Sequence, residues 1–208
     1  MRIVVQRKPI RQILRWSQRA LVACAVVFLG YSGFAVSDAW NFQRRENMHF
    51  DRLLLSRRPV SHGVPPAAAN GLIGRIEIPR LRLSAMVMEG IDTTTLRRAV
   101  GHIPGTALPG QSGNVALSGH RDTFFRPLKD LRIKDEIRFS TLSGDFDYEV
   151  ESLTVVGAND VGVLAASHEN VLTMVTCYPF FYVGAAPKRF VVRARQVAPT
   201  TMTQSVVE

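Results

Sequence analysis

The sequence predicts a mainly β domain, a closed or nearly closed barrel with only short helices, carried on a single N-terminal transmembrane helix. Two observations predict the barrel. From Leu72 onward the chain breaks into short β-like apolar runs, and these are punctuated by Gly, Pro, Asn and Asp. Short strands at that spacing, with little helix between them, favour sheet closure over an open sheet. A third observation predicts the anchor: Ala20 to Val36 is uncharged and mostly apolar.

The elements follow in order. Residues 1–19 read as a basic cytoplasmic segment, with six Lys/Arg and no acid. Residues 20–40 read as the membrane span. Its seventeen-residue apolar core is at the short end for a spanning helix, where ~20 is typical. Extension to Trp40 admits only Asp38 and supplies an interfacial aromatic. Cations before the span predict an inside N-terminus and an outside C-terminal domain. Ala35-Val36-Ser37 resembles a signal-peptidase site, but the apolar run exceeds the ~7–15 residues of a signal core, so an uncleaved anchor is preferred. Residues 41–71 read as a stalk: a short helix, then the Pro/Gly/Ala-rich linker HGVPPAAANG.

Within 72–197, strands are predicted over Ile73–Ile78, Leu83–Met88, Asn114–Leu117, Asp135–Phe139, Phe146–Val156, Val171–Thr176 and Arg189–Ala194. A short helix is predicted over Thr93–Val100, capped by Asp92 or Thr93. Loops are predicted at Gly101–Gly105 and Leu108–Gly110, and a turn or short helix at Asp122–Leu131. Residues 198–208 read as a flexible tail. There is no internal repeat.

Charge is unevenly placed. Before Leu72 there are eleven Lys/Arg and three Asp/Glu; after it, fifteen and fourteen, out of a net +9. The folded part is close to neutral and lacks the basic face of a nucleic-acid-binding domain. Of the two cysteines, Cys24 falls in the span, which leaves Cys177 as a free thiol.

The chemistry concentrates in Val171–Val192. A β-like run ends at Cys177, Tyr178-Pro179 breaks it, and Lys188-Arg189 opens the next run. If the two strands pair, thiol and guanidinium lie side by side. His120 ends an earlier strand that runs through Ser118-Gly119. A Cys and a His distant in sequence and close in space are the minimum for acyl transfer. Only the thiolate is nucleophilic. An arginine suits a developing oxyanion, because its charge is permanent and its donors are fixed in a fork.

These segments carry a family resemblance. Leu117-Ser118-Gly119-His120-Arg121-Asp122-Thr123, Thr173-Met174-Val175-Thr176-Cys177 and Arg189-Phe190-Val191-Val192 together resemble the sortases, membrane-anchored cysteine transpeptidases. Met174 stands where the family usually has Leu, a volume-conserving exchange. Gly101–Thr106, Phe124–Leu128 and Cys177–Phe180 look most like class D-type sortases. The resemblance covers about Leu72 to Ala194 and the anchor.

It implies an eight-stranded barrel with Cys177 as nucleophile, His120 as general acid and base, and Arg189 as donor to the substrate carbonyl. It implies cleavage of an LPXTG-like C-terminal sorting motif through a thioacyl enzyme. The acyl group then passes to an amine of a peptidoglycan precursor or a pilin lysine. The implied partners are secreted proteins bearing that motif.

Two other function classes remain at this point: a membrane-anchored cysteine hydrolase on the same machinery, and a non-catalytic anchored β-domain. No cofactor is implied, and no cluster has metal-ligand spacing. Asp145, Asp147, Glu149 and Glu151 alternate along a strand and read as solvated. His102 reads as structural or groove-edge, His168 as loop surface, and His49 and His62 as stalk. Phe180, Phe181 and Tyr182 either wall a groove or pack on the barrel.

Overall fold

The structure, a computed structural model, describes residues 7–56 and 71–197. Residues 57–70, which hold His62 and all of the expected linker HGVPPAAANG except Gly71, and the tail at 198–208 lie outside the described residues.

The chain divides into two compact units, one ending at Asn41 and one beginning at Phe42. Helix α1 (Arg7–Leu55) supplies all the described residues of the first unit and the start of the second. In the first unit its apolar side chains, among them Val26, Phe28, Leu29 and Phe34, are exposed. The helix is long and apolar enough to cross a membrane.

In the second unit the helix is no free stalk. Phe50 is fully buried and packs with Leu72 and Met86, flanked by Leu54. The Gln43 side chain accepts from Met86 N–H at 2.9 Å and donates to Arg98 C=O at 2.7 Å. Asp51 pairs with Arg75 at 2.9 Å. The expected short separate helix is therefore the continuation of α1, docked on the barrel. Phe50 and Leu54, four residues apart, form the apolar stripe that docks it.

The barrel comprises β1 (Leu72–Ile78), β2 (Leu83–Glu89), β3 (Val100–His102), β4 (Asn114–Ser118), β5 (Glu136–Thr141), β6 (Asp145–Gly157), β7 (Val171–Tyr178) and β8 (Lys188–Gln196). Their order around the closed sheet is β1-β2-β3-β4-β7-β8-β6-β5, and β5 pairs back onto β1. Two pairs are parallel, β2 with β3 and β4 with β7; the rest are antiparallel. The interior is filled by Ile76, Leu117, Phe125, Leu128, Phe139, Leu172, Met174 and Val192, all fully buried. Met174 thus takes a core position that a leucine would fill equally well.

Helix α2 (Thr93–Arg98) is capped by Asp92, whose carboxylate accepts from the Thr94 and Thr95 N–H groups. The Thr95 hydroxyl and the capping amides hold that carboxyl below the usual range. Val100–His102 was expected as a helix end and a loop, and is instead β3. Three residues carry no usable periodicity. The strand exists because β2 and β4 flank it and leave little room: a Cβ on Gly101 would lie 2.3 Å from Gly90 C=O.

Candidate active site

Strands β7 and β8 pair antiparallel, with Cys177 opposite Arg189 and Tyr178 opposite Lys188. Directly opposed residues point to the same face, with Cβ atoms about 4.5–5.5 Å apart. Strand β7 runs to Tyr178, so Cys177 sits within the strand rather than after it. Pro179, which has no N–H to give, ends it. Cys177 and Arg189 are both partly exposed.

The third expected residue arrives from β4. The parallel register brings Ser118 to Val175. Two contacts carry it further: Gly119 N–H donates to Val175 C=O at 3.2 Å, and the buried Thr176 hydroxyl donates to Gly119 C=O at 2.7 Å. His120 follows, exposed, two residues past the last β4 partner of β7, so continuing the parallel register leads towards Cys177. The His120 carbonyl then accepts from Phe125 N–H at 3.2 Å, which closes a turn. Gly119 must be small here, because a Cβ would lie 2.8 Å from the buried ring of Phe125. Three neighbouring strands therefore bring a thiol, an imidazole and a guanidinium to one end of the barrel.

The Arg189 guanidinium donates to the Ala186 and Lys188 carbonyls at 3.1 and 3.0 Å. No carboxylate pairs with it among the described residues.

Residues 76–197 match the sortase domain model. This decides the family. The chain belongs to the sortases. It is 30% identical over 190 residues to sortase D of Bacillus subtilis (strain 168), an alignment covering 85% of this chain and 96% of the relative. Its fold is similar to a solved sortase D5 transpeptidase of Clostridium perfringens, at 30% identity and TM-score 0.56 over 61% of this chain and 79% of that one. It is equally similar to sortase C-1 of Actinomyces oris, at 30% identity and TM-score 0.59 over 65% and 78%. The chain is a sortase-type cysteine transpeptidase on a closed eight-stranded barrel. Its likeness to sortase D accords with the class D-type motifs read from the sequence.

The sortase framework settles several side chains. His102 is 2% exposed: Nδ1 lies 2.8 Å from Glu89, while Nε2 lies 2.9 Å from Ala107 C=O and 3.0 Å from the Thr106 hydroxyl. It pins the loop after β3 and is structural, not part of a groove edge. His168 is exposed in the loop before β7, and His49 is exposed on α1. Asp147 and Glu151 on β6 are ion-paired, with Arg138 at 2.9 Å and Arg195 at 2.7 Å. Phe180 is buried and packs with Tyr178 and Phe190, ring centroids 6.0 and 5.3 Å away. Phe181 and Tyr182 are exposed. The aromatic loop thus divides its roles, one ring packed and two at the surface.

Sequence reasoning passed over Gly119, Thr176 and Arg121. All three stand inside the motifs that carried the resemblance. Their hydrogen-bond partners are main-chain groups distant in sequence, which no local pattern displays.

Proposed function

We propose that this sortase cleaves an LPXTG-like C-terminal sorting motif and passes the acyl group to an amine. The Cys177 thiolate attacks the scissile carbonyl carbon. Its oxygen takes negative charge and receives hydrogen bonds from Arg189. The C–N bond then breaks, His120 protonates the leaving amine, and a thioester remains on Cys177. The incoming amine attacks that thioester and gives its proton to His120. The C–S bond breaks, and the thiolate is regenerated.

The observation that carries the reading is the direct opposition of Cys177 and Arg189, with the His120 turn hydrogen-bonded beside them. Removal of one oxyanion donor typically costs about 10²–10³ in rate, and loss of a general acid–base about 10²–10⁴. The substrates in this reading are secreted proteins with the sorting motif. The acceptor is a peptidoglycan-precursor amine or a pilin lysine. In this reading the N-terminus lies in the cytoplasm and the barrel outside, an orientation supported by the six cations that precede residues 20–40.

The test is incubation of the full chain in detergent with a panel of LPXTG-type peptides and an added amine. A ligated peptide is expected. Cleavage whose products are unchanged by the amine identifies a hydrolase instead. Absence of both cleavage and ligation across the panel removes the proposal.

A further inference from the structure

The loop between β7 and β8 starts one residue after Tyr178 and ends one before Lys188, so it joins the strand of Cys177 to the strand of Arg189. Between those ends it has no sheet partner. Phe180 in the core is one anchor. Another comes from the residue beside His120. The Arg121 guanidinium is buried, with its residue 8% exposed. Nη1 donates to Pro179 C=O at 3.0 Å, and Nη2 donates to Tyr182 C=O at 2.6 Å and Gly184 C=O at 3.3 Å. Nε faces the exposed Asp122 carboxylate at a loose 3.4 Å, and the Tyr182 ring lies 5.9 Å from the guanidinium carbon. Arg126, from the same segment, lies 5.0 Å from the centre of the Phe181 ring.

A buried guanidinium is costly unless its donors are satisfied. Here the loop's own carbonyls satisfy them. Spread over three carbonyls of one loop, the contacts need a planar fork with several donors, which an ammonium does not offer. We propose that Arg121 is a positioning residue. It locks the His120 turn to the loop that joins the strand of Cys177 to the strand of Arg189, and so fixes imidazole against thiol. The role rests on the acyl-transfer reading above, but two of its readouts need no peptide substrate.

The test uses the full chain in detergent and the variant Arg121→Gln. Hydrogen exchange should quicken in residues 180–186 and stay at the wild-type rate in β1 and β5. Alkylation mapped to Cys177, and not to Cys24, should slow about tenfold or more at neutral pH, as expected when a general base is displaced. Where a peptide is turned over, kcat should fall by a similar factor with KM nearly unchanged, the pattern of a loss felt only in the transition state. Wild-type loop exchange, or wild-type alkylation, overturns the proposal. Arg121→Lys keeps the charge and loses the fork, and the same losses are expected. Wild-type behaviour of that variant overturns the proposal even if Arg121→Gln fails to fold. If the wild-type protein turns over no peptide, the substrate assignment fails while exchange and alkylation still report on Arg121.

Discussion

Near the Val171 end of β7, Arg195 of β8 is held by Glu169 at 3.0 Å and by Glu151 at 2.7 Å. At the other end of the same strand pair, Arg189 stands opposite Cys177 and, among the described residues, donates to main-chain oxygens. The register is continuous and the residue type is the same. At one end the cation is neutralised on the surface. At the other, no carboxylate among the described residues pairs with it, and its neighbour across the ladder is a thiol. A strand ladder thus supplies position, while nearby carboxylates set how far an arginine's charge is neutralised; on the proposed function, the charge left at Arg189 serves the chemistry.

The largest expected effect breaks the reactive end outright. Cys177→Ala should lower transpeptidation by about ten-thousandfold or more while leaving the fold intact, the scale seen when a nucleophile is removed. A stopped peptide-ligation assay with circular dichroism checks both halves. His120→Ala should cost about 10²–10⁴ in kcat/KM. Arg189→Ala should cost about 10²–10³, chiefly in kcat, and Arg189→Lys should recover only part of it. Gly119→Ala acts one layer below. It forces a methyl into the Phe125 ring, so it should destabilise by about 1–3 kcal/mol in urea unfolding and lower kcat through displacement of His120.

Ion pairs away from the reactive end should behave differently. The Asp135 carboxyl is held below the usual aspartate range, first by its hydrogen bond from Arg80 and also by the Arg132 amide, against the opposing effect of burial. A depressed carboxyl stabilises the native state above its unfolded-state value, and that contribution is lost as pH falls through the folded-state value. Asp135→Asn should therefore lower Tm at neutral pH. The gap from wild type should close as pH drops below about 4, where the unfolded aspartate protonates. The smallest effect belongs to Arg195→Ala. An exposed ion pair contributes little, so kcat should be unchanged and Tm close to wild type. A large loss of activity in that variant would erase the contrast between the two ends.

Much of this was legible in the sequence, for identifiable reasons. β1, β2, β4 and β7 carry apolar runs long enough to declare themselves, and Asp92 declares the start of α2. Cys177, His120 and Arg189 stand out because each sits beside a strand boundary marked by Gly or Pro. β3 was hidden because it is three residues long and owes its existence to its neighbours. The docking of α1 was hidden in a stretch whose polar residues outnumber Phe50 and Leu54. Arg121 was hidden for another reason: its partners are carbonyls some sixty residues away in sequence, and any residue type can present a carbonyl.

The central claim is acyl transfer through Cys177. Rapid-quench intact-mass analysis of the full chain, mixed with an LPXTG-type peptide before amine is added, tests it most directly. The account predicts an adduct with the mass of the acyl fragment, mapped to Cys177 and discharged into ligated product when amine is supplied. Product formation with no adduct, or undiminished product formation by Cys177→Ala, would contradict it.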